Sequence, residues 1–361
     1  MVALAKPVDR SIGVFPDDQL VRVQQAYGLR SLLVLPFFTL NQTIIDLRRR
    51  TETARKVFLE TERGVCFLKE LPWYCSASDF AAFESGLLAR LGGSGAPVPV
   101  PWRTVDGELF FHDRRSGSIF LLQPYVDGRS WTRAAGEARS AGAALARLHQ
   151  AAAGAGLAPF AGMRDAFASA RDLVSLLLPG GAVPTADEPA QEEVRAYARL
   201  ALATIDRCRA EAGAAGYGNA VVAVHGDYNP FNLIFASDSD EVVGIVDFDN
   251  ACLDDPAHDL AEALVRFGWV NYRGLSSAYG AVPSGFEVKA LDGLLRGYRD
   301  ADDAAAGRAR PLLPPVMTAV ALELAAIGLL SSYYTIDDLA ALRRNAESLL
   351  VLARDAVDSV W

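Results

Sequence analysis

The sequence predicts an α+β protein in two parts: a small antiparallel β part carrying one helix, then a larger, mostly helical part. Three observations carry this reading. Residues 40–125 alternate short apolar stretches with turn signals. After Gln123–Asp127 the pattern changes to alanine-rich and amphipathic segments of helical period. Within that second half two strand-like segments, Ala220–Val224 and Val242–Val246, each run into an aspartate, Asp227 and Asp247. At 361 residues the chain is long for one core and comfortable for two.

Taken in order, a short helix is expected over Asp17–Tyr27, stopped by Gly28. Strands follow at Gln42–Leu47, Arg55–Thr61 and Val65–Leu71, the last two joined by the polar turn Glu62-Arg63-Gly64. Ser76–Leu91 has cap candidates Ser76 and Ser78, an apolar stripe of Phe80, Phe83, Leu87, Leu88 and Leu91, and a Gly92-Gly93 stop. Proline in PVPVPW forbids helix there, and Leu109–His112 with Ser118–Gln123 suits another hairpin. Helices are then expected near 134–153, 167–178, 191–212, 259–267, 286–299, 315–332 and 336–358.

Composition excludes several classes. With 51% apolar and 22% charged residues the chain is not broadly disordered, and a net charge of −9 argues against a general nucleic-acid binder. The opening stretch MVALAKPVDRSIGVFPDD has no apolar signal-peptide core, and Met317–Leu330 is short for a bilayer and contains Glu323, so no membrane association is expected. Cys66, Cys75, Cys208 and Cys252 are scattered without a CxxC pair, which suits free thiols in a reducing compartment, hence the cytoplasm.

The chemistry concentrates in AVHGDYNPFNLIF and EVVGIVDFDNACLDDPAHDLA. Asn232 follows Asp227 by five residues, Asp249 follows Asp247 by two, and the oxygen ligands fall at the ends of strands expected to be adjacent. Hard oxygen donors so grouped suit magnesium. Phosphoryl transfer needs the attacking hydroxyl oriented, its proton accepted and the phosphate charge neutralised. A lone Asp or Asn in such a turn is more often a backbone cap. The combined spacing of HGDxxxxN and VDFD is far narrower.

At these residues the chain resembles the aminoglycoside phosphotransferase, choline kinase and type II homoserine kinase superfamily, which has a protein-kinase-like two-lobed fold. The resemblance implies an N-terminal nucleotide-binding lobe over residues 1–124, with 1–39 a divergent extension, and a C-terminal lobe over 125–361. It implies ATP (or GTP) and Mg2+ as cofactors. Asp227 would be the catalytic base, Asn232 and Asp247 metal ligands with Asp249 supporting them, and His225 and Asp259 internal struts, Asp259 accepting hydrogen bonds from the catalytic loop. Upstream, AGAALARLH over Ala141–His149 is similar to the helix preceding that loop. Lys69 matches the phosphate-binding lysine, Glu84 its ion-pair partner, and Leu122–Tyr125, with Gln123 and Tyr125 the candidates within it, the backbone that binds the adenine edge.

The match has departures. The loop RRRTET, about Arg48–Thr53, has no glycine, so Thr51, Thr53 and an arginine are the candidates for phosphate contact there, against a plain exposed basic turn. HGD replaces the HRD of protein kinases, and the short run from VDFD to DPAHDLA leaves no room for an activation loop. For the acceptor, Asp254, Asp255, Glu262, Trp269 and Tyr272 are candidate walls, an acidic lining that suits an amine-bearing alcohol. The expected function is a kinase of a small hydroxylated molecule. Two alternatives are a kinase of Ser/Thr in a peptide precursor and a nucleotide-binding module without activity, the latter opposed by the presence of Lys69, Glu84, Asp227, Asn232 and Asp247. Fold alone does not choose the acceptor, and oligomeric state does not follow from the sequence.

Overall fold

The computed structural model describes residues 15–35, 40–44, 52–71, 78–160, 163–178, 188–271, 283–330 and 336–361. The chain divides into two compact units, Met1–Gly92 with Pro99–Val126, and Gly93–Val98 with Asp127–Trp361.

The first unit is built on one antiparallel sheet. Its strands are β1 (Leu32–Val34), β2 (Leu40–Ile44), β3 (Glu52–Thr61), β4 (Gly64–Glu70), β5 (Phe111–Asp113) and β6 (Ser118–Pro124), in the order β1-β3-β4-β6-β5 with β2 also on β3. Register in the β3–β4 hairpin runs from Thr61↔Gly64 to Lys56↔Lys69, closed by the expected turn. β2 includes Leu40 and Asn41 ahead of the expected strand, paired with β3 from Leu40↔Lys56 to Ile44↔Glu52, while positions 45–47 of that expectation lie outside the described residues. β1 has three residues, too few for an alternating pattern to register. Helix α1 (Asp17–Ala26) buries Val23, and Tyr27 just beyond its end packs with Leu59, Leu68 and Phe120 and donates its hydroxyl to Phe120 C=O at 3.2 Å. Helix α2 (Ser78–Gly93) buries the stripe read from sequence, Phe80, Phe83, Leu87, Leu88 and Leu91, together with Glu84.

The second unit is largely helical: α3 (Ala135–Ala152), α4 (Ala166–Ser175), α5 (Glu188–Ala214), α6 (Ala257–Gly268), α7 (Val288–Ala301), α8 (Asp303–Ala309), α9 (Leu313–Leu330) and α10 (Ile336–Val360). α3 and α7 cross at glycines. A Cβ on Gly142 would lie 1.9 Å from Leu294 C=O, and one on Gly297 1.8 Å from Arg139 C=O, so only hydrogen fits at either crossing point. α9 is buried along most of its length. The helical run Asp303–Leu330 is, by length and composition, apolar enough to cross a membrane, because it starts earlier than Met317–Leu330; 83% of its most apolar window is buried inside the protein, as a core helix would be.

The strands of this unit correct one expectation. β7 (Val222–Val224) and β9 (Val242–Ile245) are not partners. β7 pairs β10 (Cys252–Asp254), and β9 pairs β8 (Leu233–Phe235). The two partners are three-residue strands, again too short to stand out as a pattern. A further pair, β11 (Trp269–Asn271) and β12 (Pro283–Phe286), follows α6.

Candidate active site

In the first unit, the pleat turns Lys69 of β4 inward, where its Nζ meets Glu84 Oε1 of α2 at 2.8 Å; the side chains are 2% and 0% exposed. Two charges so buried are costly unless paired, and the ammonium is thereby held in one place. The expected hinge residues Gln123 and Tyr125 lie near the end of β6 and just beyond it. Tyr125 N–H donates to Val65 C=O at 3.2 Å, and the Gln123 side-chain amide donates to Pro99 C=O at 3.2 Å, both engaged within the unit. The Tyr125 N–H is thus used by the strand pairing of β4 with the end of β6. Thr53 lies in β3 opposite Thr43, while Thr51 is outside the described residues.

In the second unit, the loop after β7 is shaped by backbone geometry. Gly226 has φ 74°, and a Cβ there would lie 2.1 Å from Asn250 C=O, so the middle residue of HGD has to be glycine. The 3-10 turn Pro230–Asn232 is capped by Asn229, whose Oδ1 accepts the Phe231 N–H at 2.9 Å. That cap directs the Asn229 amide back onto Asp227, with Nδ2 2.8 Å from Oδ1. Asn232 Nδ2 lies 3.1 Å from Asp227 Oδ2 and 2.9 Å from the Asp227 C=O. With its NH2 so used, Asn232 has its amide oxygen left as a ligand atom. Asp247, at the end of β9, takes φ 68°, a left-handed conformation that is uncommon outside glycine and recurs at functional sites. Val246 N–H donates to Asn232 C=O at 2.9 Å and ties the two segments together. A carboxylate and an amide oxygen form a donor set that fits a hard divalent cation. Asp249 is buried two residues on.

Beneath the loop stands Asp259, in the first turn of α6 and 0% exposed. Its oxygens accept the N–H groups of His225 and Gly226, each at 2.7 Å, and Oδ2 also meets His149 Nε2 at 3.0 Å. Burial pushes this carboxyl up, but the His149 contact and nearby histidines overcome it and hold it at about 2. His149, from the end of α3, is completed by Tyr298 Oη at 2.9 Å. His225 bridges to Val246 C=O at 2.9 Å and packs on Phe248.

Two of the candidate acceptor walls are structural instead. Asp254 is 4% exposed and accepts from Tyr217 Oη at 2.7 and 2.8 Å, from Ala166 N–H at 2.9 Å and from Asp255 N–H at 2.7 Å, with His258 Nδ1 at 2.9 Å. Asp255, also 4% exposed, caps α6 through Ala257 N–H at 3.0 Å and takes Gly218 N–H at 3.1 Å. A buried carboxylate with this many donors is a joint between segments. The Trp269 side chain and Tyr272 lie outside the described residues.

Glu262 stays beside the chemistry. It is 6% exposed, and burial raises its carboxyl to about 8, with the charges of Asp227 and Glu323 acting in the same direction and Arg266 opposing. Glu323 of α9 accepts a hydrogen bond from Ser169 Oγ at 2.7 Å and is also raised by burial. Sequence reasoning overlooked Arg266, Glu323 and Asn229 as parts of the site. For Arg266 a signal existed: Asp259, Glu262 and Arg266 recur at i, i+3 and i+7, one face of a helix.

A small sheet-bearing unit with a buried Lys–Glu pair, and a helical unit with an Asp–Asn loop backed by a second aspartate, define a phosphotransferase of the protein-kinase-like fold. The chain belongs to the phosphotransferase enzyme family, whose model matches residues 48–327. Among solved structures it is similar to an amicoumacin kinase in complex with AMP-PNP, Ca2+ and Ami, at 17% identity over 93% of this chain and 94% of that one, TM-score 0.61. It is likewise similar to a microcompartment-associated aminopropanol kinase, at 17% identity over 93% and 98%, TM-score 0.61. A Plasmodium vivax ethanolamine kinase aligns at 13% identity over 96% and 93%, TM-score 0.61. None of the curated proteins matches the chain.

Proposed function

We propose that the chain is an ATP- (or GTP-) and Mg2+-dependent O-phosphotransferase acting on the hydroxyl of a small amine-bearing alcohol, with Asp227 as the base. The observation that carries this reading is the constraint on Asp227. Both carboxylate oxygens are held by loop amides, Oδ1 by Asn229 and Oδ2 by Asn232, while the side chain stays 24% exposed. A proton acceptor fixed in direction and still reachable is what an oriented alcohol requires.

In the transfer, the acceptor's O–H proton passes to Asp227 as its oxygen bonds to the γ-phosphorus. The bond from that phosphorus to the bridging oxygen breaks, and the nucleoside diphosphate leaves with the electron pair. Asp247 and the Asn232 amide oxygen would hold the metal, with Asp249 behind them; a bound divalent cation neutralises charge on the phosphate oxygens. Lys69, fixed by Glu84, would meet the α- and β-phosphates. The aminopropanol and ethanolamine kinases among the similar structures support an acceptor bearing an ammonium group, whose arrival would favour the charged forms of Glu262 and Glu323, raised by burial without it.

The test is incubation with γ-labelled Mg-ATP and a panel of ethanolamine, 1-amino-2-propanol, an aminoglycoside and hydroxyl-bearing peptides. Label is expected on an amino alcohol or aminoglycoside. Asp227→Ala should abolish transfer while the thermal shift with Mg-ATP persists. Near-normal turnover in Asp227→Ala would overturn the base assignment, and label on peptides alone would overturn the acceptor class.

A further inference from the structure

Arg266 lies in the last turn of α6 with its side chain 3% exposed. Its Nη2 is 3.4 Å from Asp227 Oδ1, and its Nε is 3.4 Å from Glu262 Oε1, one helical turn back. A guanidinium buried to this degree calls for compensating negative charge, and the Asp227 carboxylate beside it is the proposed base.

The partners of Asp227 can be counted by oxygen. A carboxylate offers about four lone-pair directions, two on each oxygen. Among the described residues, Oδ1 takes both Asn229 Nδ2 at 2.8 Å and Arg266 Nη2 at 3.4 Å, whereas Oδ2 takes Asn232 Nδ2 alone at 3.1 Å. Oδ1 is therefore filled, and one direction on Oδ2 is left.

We infer that Arg266 is a positioning residue for the transfer: with Asn229 it clamps Oδ1 of Asp227, so that the acceptor hydroxyl delivers its proton to Oδ2. This rests on Asp227 being the base. The two amides come from the same loop as Asp227 and move with it. Among the described residues Arg266 is the group that ties the carboxylate to a helix, and α6 also carries Asp259, which holds that loop's backbone. Base and loop thereby share one rigid support, which is how a carboxylate is held within the narrow range that an in-line attack tolerates.

The experiment compares Arg266→Lys, Arg266→Met and Asp227→Asn with wild type. It uses γ-labelled Mg-ATP with 1-amino-2-propanol or ethanolamine, or with water where neither amine is phosphorylated. Arg266→Met should lower kcat about 10- to 100-fold, leaving KM for ATP and the Mg-ATP thermal shift within about twofold of wild type; Arg266→Lys should recover most of kcat. Should Arg266→Met fail to fold, Arg266→Gln, which is neutral and shorter, combined with Asn229→Ser decides. A loss larger than the product of the single losses supports a clamp on one oxygen, and a simple product overturns it. Arg266→Met with unchanged kcat, or with kcat and nucleotide binding lost together and no rescue by lysine, overturns the inference. Asp227→Asn separates the two levels: if it stays active, the base assignment fails; if it is dead while Arg266→Met is normal, only the clamp fails.

Discussion

Asp259 Oδ2 accepts the backbone N–H of His225 at 2.7 Å, and Oδ1 that of the next residue, Gly226, also at 2.7 Å. Two consecutive amides on one carboxylate pin the start of the HGD loop to the first turn of α6.

Asp259→Asn should therefore loosen the loop and lower stability by about 3 kcal/mol, since an amide cannot accept from two backbone N–H groups and His149 together. The carboxyl sits at about 2 in the folded protein, below its ordinary value near 4. Its contribution is present above about pH 4 and is lost as pH falls from there toward 2. Urea unfolding at pH 7 and at pH 3 should show the variant's deficit shrinking at the lower pH.

Glu262 has the opposite sign. Raised to about 8 when folded, it keeps its proton where the unfolded chain has released it, so folding loses stability as pH rises from about 4.5 to about 8. Glu262→Gln should flatten the decline in Tm over that window. An unchanged slope by calorimetry would mean that Glu262 is ionised in the folded protein.

The Lys69–Glu84 pair is buried on both sides. Glu84→Leu alone should cost about 3–5 kcal/mol by taking a carboxylate partner from the buried ammonium, and Lys69→Met with Glu84→Leu should restore most of that stability. Neither variant should recover phosphoryl transfer, as assayed by release of labelled phosphate onto acceptor. Recovery in the double variant would exclude Lys69 from the chemistry.

Gly226→Ala places a Cβ 2.1 Å from Asn250 C=O at a φ of 74°. The loop has to shift, and an activity loss of about 100-fold is expected from misplacing Asp227, the fold surviving by circular dichroism. Turnover within twofold of wild type would show that the loop tolerates another backbone path.

Much of the fold was legible in the chain. The stripe of α2, the β3–β4 turn and the long helices each follow from periodicity and stop signals that act within a dozen residues. β1, β8 and β10 were not legible, since three residues carry no period and exist as strands only because β3, β9 and β7 lie beside them. For the same reason β7 and β9 looked like partners when each had another.

The sequence by itself determined the residue types of the site and their local spacing: HGD with Asn232 five residues after Asp227, Asp247 at a strand end, and Lys69 with Glu84 fifteen residues apart. Tertiary structure alone decided what those residues touch. It turned Asp254 and Asp255 from candidate walls into joints under Tyr217 and Gly218, engaged the Tyr125 N–H with Val65, and brought Arg266 to Asp227 across 39 residues and His149 to Asp259 across 110. Spacing along the chain reports neighbours within one element. A buried charge takes its partner from whichever element packs against it, and that packing is absent from any local pattern.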